Sequence, residues 1–207
     1  MIKDASDLQE VVPGLIVDKG IGSGVSYAIR GTGSYGVGAA VVGAVVVATN
    51  GHDSSSSAFV DIGFFDVERV EVLKGPQGTL FGRNAVVGAI NVITARPTSE
   101  YEGKMDVAIG NFNSEDIKGV FNMPLSDSVR ARIAFTSSVR DGFTRNVRDN
   151  SLFNDKDAYG VRLSIDKDIG DSSILRFTYD MYEADDSRNN IGAPFCESHA
   201  LYGLSLI

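Results

Sequence analysis

Residues 67–94 read VERVEVLKGPQGTLFGRNAVVGAINVIT. Val67 to Leu73 and Ala89 to Thr94 are apolar stretches bounded by Gly, Asn and Pro, the pattern of strands joined by loops. Between them Gly75-Pro76-Gln77-Gly78 is turn chemistry: proline fixes φ at the second position of a type I turn and glycine suits the fourth. The spacing predicts a strand over 67–73, a compact loop or short helix from Gly78 to Asn84, and a second strand over 89–94. No Gly-Lys-Ser/Thr follows the turn, so it is not a P-loop. Glu68, Arg69 and Glu71 read as a solvated strand face rather than a catalytic carboxylate pair.

Upstream, Leu8 to Leu15 (LQEVVPGL) predicts a short helical turn ended by Pro13-Gly14. Val25 to Ile29 and Val41 to Ala48 add two further strands, and Ser54 to Ser57 is a solvated loop. These pieces together predict a compact α+β unit over residues 1–98. The longest apolar run, Val37 to Ala48, spans twelve residues, too few for a membrane-spanning helix. The residues from Met1 to Ala5 do not resemble a signal peptide.

Downstream the period becomes two. Met105, Val107 and Ile109 alternate with polar or small neighbours, and Ile117, Phe121, Met123 and Leu125 share one parity. So do Val129, Ala131, Ile133, Phe135 and Val139; then Tyr159, Val161, Leu163 and Ile165; then Leu175, Phe177, Tyr179 and Met181. Successive strand side chains point to opposite faces, so each segment has one apolar and one polar face. The expectation is an antiparallel β meander of about five strands across 99–186 with the odd-numbered apolar side chains on one face. The connections alternate between tight (Leu125 to Ser128, Asp168 to Ser172) and long (Arg140 to Asp157), as in transmembrane barrels with short periplasmic turns and longer external loops. A soluble antiparallel sheet with one wet face has the same alternation. Residues 187–207 lose it and are expected to be an irregular end.

Composition narrows the chemistry. The formal net charge is −8, which argues against a phosphate-tracking nucleic-acid surface. Cys196 is the only cysteine, so neither an intramolecular disulfide nor a cysteine metal cluster is expected, and His52 and His199 are far apart in sequence. Neither a Ser/His/Asp nor a Cys/His set is suggested. Gly31-Thr32-Gly33-Ser34-Tyr35-Gly36 matches GxGxxG, with Asp53 roughly at the acidic position of a dinucleotide site. The following Val37 to Ala48, rich in Val and Gly, makes a poor helix. A glycine-rich loop between strands is therefore the favoured reading over a dinucleotide-binding enzyme.

Several ordered motifs carry a resemblance. Residues 67–94 are similar over their whole length to the signature stretch of TonB-dependent outer-membrane receptor plugs. LQEVVPGLIV at 8–17 and YAIRGTGS at 27–34 fit upstream, and ARPTSEYEGKMDVAIGNFNS at 95–114 looks like the crossing from plug to barrel and the first barrel strand. The resemblance implies an α+β plug domain over 1–98 and, over 99–186, an incomplete transmembrane β-barrel, about five strands of the roughly 22 such transporters use. It implies active uptake of a scarce ligand, ferric siderophores being the commonest class, with TonB and outer-membrane lipid as partners, no cofactor and no catalysis. A soluble β-rich binding module reusing plug sequence is the alternative.

The family's ligand-facing plug loops correspond to Gly33–Gly36, Asn50–Ser57 and Leu80–Asn84. They make Ser34, Tyr35, His52, Phe81, Arg83 and Asn84 the ligand-contact candidates. Arg30 would anchor plug to barrel, and Gly31, Gly75, Pro76, Gly78, Gly82, Gly88 and Asn91 are signature positions. There are departures. Val42-Gly43-Ala44-Val45 stands where the family usually carries Val-Asp-Gly-Val, and no TonB box is recognised before the plug. On this reading the 207 residues by themselves are expected to transport nothing.

Overall fold

The computed structural model describes residues 5–18, 25–33, 44–53, 64–82, 84–170, 172–185 and 187. A 3-10 turn (Ala5–Asp7) leads into the one-turn helix α1 (Leu8–Val11), which stops before Pro13. Strands β1 (Leu15–Asp18), β2 (Ser26–Ile29) and β3 (Thr32–Gly33) form one small antiparallel sheet. A second sheet runs in the order β5-β4-β7-β6, from β4 (Val45–Thr49), β5 (His52–Asp53), β6 (Val67–Lys74) and β7 (Gly88–Thr94). The helical turn α2 (Gly78–Phe81) lies in the excursion between β6 and β7. The expected strands over 67–73 and 89–94 are therefore present and antiparallel, with β4 parallel to β7 on its other side.

Burial explains the arrangement. All seven residues of β7 are buried, as befits a central strand. Leu15, Val17, Tyr27 and Ile29 of the small sheet meet Val45, Val47, Ile90 and Val92 of the mixed sheet in one core that also takes in Leu8 and Phe64. Gly88 allows the two sheets to meet. A Cβ there would lie 2.5 Å from the Leu73 carbonyl oxygen and 2.6 Å from Ile29 Cδ1. Gly88→Ala is expected to cost about 1–3 kcal/mol by overpacking, read as a lower denaturant midpoint with unchanged slope.

The remaining strands make a five-stranded antiparallel sheet, β8 (Glu102–Gly110), β9 (Ser114–Ser126), β10 (Val129–Arg140), β13 (Lys156–Ile169) and β14 (Ser173–Ala184), each beside the next. The long connection expected between Arg140 and Asp157 contains a two-residue hairpin, β11 (Thr144–Arg145) with β12 (Leu152–Phe153). Register is uniform in parity: Met105 faces Gly119, Ile133 faces both Phe121 and Leu163, and Leu163 faces Tyr179. One irregularity occurs, at Val129/Arg130 beside the tight β9–β10 turn. Odd-numbered residues thus share a face across all five strands, as expected. Gly119 leaves room on that face for the Phe135 ring, which a Cβ would meet at 2.3 Å.

Which face is covered decides what kind of sheet this is. Apart from Ala131, the buried side chains Asn122, Arg132, Ala134, Ala158, Arg162, Ser164 and Asp166 are even-numbered, and Arg132 and Arg162 meet Asp66 and Phe65 of the N-terminal half. Met105, Val107, Ile109, Phe121, Ile133, Phe135, Leu175, Phe177, Tyr179 and Met181 are exposed. The sheet is inside out relative to a soluble one, with the polar face packed and the apolar face outward. Among the described residues no helix is long and apolar enough to cross a membrane.

Candidate functional site

Two regions at opposite ends of the mixed sheet carry the polar chemistry. The end where Lys74 pairs with Gly88 holds the β6–β7 excursion. There Gly75 (φ 101°) and Gly82 (φ 81°) take backbone conformations that favour glycine. The Gly75 and Gln77 amides donate to the Val87 and Ala85 carbonyls at 2.9 and 2.8 Å, closing the excursion into a stalk. Pro76 and Gly78 are exposed in its first half. Phe81 is partly buried and packs on Val46, Ala85 and Ala89, while its neighbour Leu80 is exposed. Asn84 is half-buried.

The turn Arg30-Gly31 sits beside this stalk's base, since Arg30 N donates to Gly14 O at 2.7 Å and Lys74 Nζ to Pro13 O at 2.8 Å. Arg30 (φ 54°) and Gly31 (φ 76°) form the two-residue hairpin turn between β2 and β3. The first residues of the GxGxxG stretch thus lie in an antiparallel hairpin. A dinucleotide site needs a strand-to-helix turn there, so that alternative is set aside. Arg30 is exposed. Ser34, Tyr35 and Arg83 lie outside the described residues.

At the opposite end, where Thr49 pairs with Val92, Asn50 (φ 52°) and Gly51 (φ 83°) turn β4 into β5. An Asn-Gly pair suits such a hairpin turn as an Asp-Gly pair does. Val45 opens the strand expected within 41–48, and the reversal comes after Thr49. Asn91 holds this turn, accepting from Gly51 N at 3.0 Å and donating to Glu71 Oε2 at 3.1 Å. Asn50 in turn donates to Thr94 Oγ1 at 3.0 Å. His52 is exposed here, so the described parts of the Asn50–Ser57 and Leu80–Asn84 loops are not brought together.

The Glu71 carboxyl is held below its ordinary value, first by the hydrogen bond from Arg69 and then by that from Asn91. A depressed carboxylate contributes stability that is present above its unfolded pKa and lost as pH falls through its folded one. Acidification below about 4.5 should therefore loosen the Asn91–Glu71 link. Amide exchange at Gly51 should rise there in the wild type and show no such step in Glu71→Gln.

His52 opens onto a cleft of about 520 Å³ between this end of the mixed sheet and strands β13 and β14, lined also by Phe65, Arg162, Asp166, Arg176 and Asp180. The cleft is flanked by the strongest contacts between the two halves of the chain. Arg132 binds Asp66 with two hydrogen bonds, Nε to Oδ2 at 2.8 Å and Nη2 to Oδ1 at 2.6 Å, with both side chains buried. Arg162 donates to the Phe65 carbonyl at 3.0 Å, lies 4.6 Å from the centre of the Phe65 ring, and pairs with Asp180 at 2.6 Å. Within the five-stranded sheet itself, Arg130 pairs with Asp168 at 2.6 Å and Arg176 with Asp166 at 3.4 Å.

Beyond the cleft, fully buried Asn122 binds the crossing between the halves. Its side chain accepts from Thr98 N at 2.9 Å and donates to Thr98 O and Glu100 O at 3.0 and 2.5 Å. Asp66, Arg132, Arg162 and Asn122 had no sequence signal beyond their place on a polar face or in a loop. The set contains no nucleophile–base pair, and no cluster of His, Cys, Asp or Glu among the described residues would hold a metal. Its geometry suits holding two bodies together.

The comparisons agree with this two-body construction. The TonB-dependent receptor plug domain family matches residues 2–89. That segment is a TonB-dependent receptor plug domain. The chain is 28% identical over 125 residues to the ferric-pyoverdine 358 receptor of Pseudomonas putida, a match covering 60% of this chain and 14% of that one. It is 34% identical over 101 residues to the pesticin receptor of Yersinia pestis, covering 48% and 14%. The solved ferric yersiniabactin uptake receptor of Yersinia pestis superposes with a TM-score of 0.76 at 24% identity, covering 86% of this chain and 28% of that one. The chain thus spans between about a seventh and a quarter of the length of the curated relatives it matches. Its fold is that of a plug and the start of a TonB-dependent receptor barrel. Arg132 and Arg162, on the strands of the barrel start, hold Asp66 and Phe65 of the plug segment, whereas Asn122 holds the crossing at Thr98 and Glu100.

Proposed function

We propose that this stretch serves as the plug and opening wall strands of an outer-membrane receptor that takes up a ferric siderophore, driven by TonB. The observation that carries this is the inverted sheet: its exposed odd face is apolar and its covered even face is charged. A soluble binding module would bury the apolar face, because exposed apolar surface of this extent is an aggregation hazard in water. In a bilayer the outward band meets lipid while the polar lumen face meets the plug. We place plug residues at 1–98 and wall residues from 99, with the tight β9–β10 and β13–β14 turns at the periplasmic end and the β10–β13 connection outside.

The relatives whose names mention ferric pyoverdine and ferric yersiniabactin support the ligand class. Holding and releasing such a ligand needs no bond chemistry, so we assign no catalysis. Arg30, Phe81 and Asn84 stand at the external end of the plug, where a ligand would arrive. His52 stands at the other end, facing the wall. The test is uptake of labelled ferric siderophores by cells lacking their own receptors but expressing the complete receptor that carries this stretch. Uptake that disappears in TonB-deficient cells is the expected result. The absence of uptake for every ferric chelate class would overturn the reading.

A further inference from the structure

On the plug-facing side of the wall, arginines answer carboxylates. Arg130, Arg132, Arg162 and Arg176 each have an acidic partner within 3.4 Å. Arg140, at the external end of β10 and on the same face, has no carboxylate within ion-pair distance among the described residues. Its Nη2 donates to the Asn154 carbonyl at 2.8 Å, its Nε is buried without a hydrogen-bond partner, and its guanidinium lies 4.9 Å from the centre of the Phe143 ring. Phe143 in turn lies 5.4 Å, centre to centre, from Phe112. Both rings are about half exposed.

Phe112 is held there against its own backbone preference. It has φ 60°, in the β8–β9 turn beside Asn113 at φ 52°. A bulky residue in this left-handed region is uncommon, and such outliers persist where surrounding contacts over-determine them. Those contacts are present: Asn113 Nδ2 donates to Asp141 Oδ2 at 2.6 Å and Asp141 N to Phe112 O at 2.8 Å. The β8–β9 turn is thereby fixed to the end of β10 with two rings and one uncompensated cation side by side. A planar, negatively charged aromatic group is the ligand these features complement, through ring stacking and charge.

We propose that Arg140, Phe143 and Phe112 form a wall-borne subsite for the aromatic arm of the transported chelate, selecting ferric catecholates or phenolates over ferric hydroxamates. The inference rests on the uptake reading above and deepens it, since it names the ligand chemistry. The experiment measures binding of a labelled ferric tris-catecholate and a ferric trihydroxamate to cells making the complete receptor, with Arg140→Gln and Phe143→Leu variants. Surface expression of each variant is checked, and Arg145→Gln on the neighbouring hairpin serves as a control. The expected result is that each variant weakens catecholate binding about tenfold while the control leaves it unchanged. Unchanged catecholate affinity in both variants overturns the subsite, as does an equal loss for both chelates at full expression. A receptor that takes up the hydroxamate and ignores the catecholate refutes this inference alone. One that takes up no ferric chelate refutes the uptake reading itself.

Discussion

Arg132→Ala is expected to destabilise the seating of the plug by about 3–5 kcal/mol, because it strands the buried Asp66 carboxylate without its partner. The pair is bidentate and lies where plug meets wall. Loss of the arginine removes both hydrogen bonds that this carboxylate accepts from it. Amide exchange around 64–67 in the detergent-solubilised receptor is the direct readout. Protection there should collapse in Arg132→Ala while the β13–β14 pairing stays protected. Removing both charges with Asp66→Asn and Arg132→Met should recover much of the loss, since replacing a buried ion pair outright is often near neutral. Equal protection in wild type and Arg132→Ala would mean that Asp66 is held by other contacts.

Leu163→Arg should be more damaging than Val139→Arg nearer the end of the wall. Leu163 lies on the outward face in the same cross-strand row as Ile133 and Tyr179. An arginine at mid-depth on a lipid-facing surface costs about 2–4 kcal/mol. Tyr179→Arg, one strand on in the same row, should cost a similar amount, whereas Val139→Arg near the external end should cost less, because the penalty falls toward the interface. Folding titrations in lipid vesicles would check the order. An equal cost at Leu163 and at Val139 would remove the bilayer from the explanation of the apolar face.

Period-two alternation made the wall strands legible from sequence, and the Gly-Pro turn made β6 and β7 legible. The direction of each face was not legible, because alternation says which side chains travel together and is silent about what covers them. Arg132 and Arg162 were therefore legible only as members of a polar face, and their contacts with Asp66 and Phe65 come from the fold. The Asn50-Gly51 turn went unassigned for a different reason. Val37 to Ala48 is an apolar run without punctuation, so nothing local marks where its strand begins, and the reversal follows the run instead of interrupting it. The β11–β12 hairpin is only two residues per strand, too short for an alternation to register. Among the site residues, Asn91 was visible as part of a motif, but its role as clasp for the β4–β5 turn required the fold.

The shared parity of the wall strands behaves like a reading frame. One residue inserted between Arg130 and Val139 would exchange the two surfaces for the rest of that strand, turning arginines to lipid and Phe135 toward the plug. Two residues inserted at the same point would restore the phase at the cost of a local bulge. The β10–β13 connection, which is not bound by the frame, can absorb either. Length variation among receptors sharing this wall should therefore be free in that connection and come in even steps inside the strands, and a lone odd step would be tolerated only at a strand end, as at the existing irregularity next to Val129.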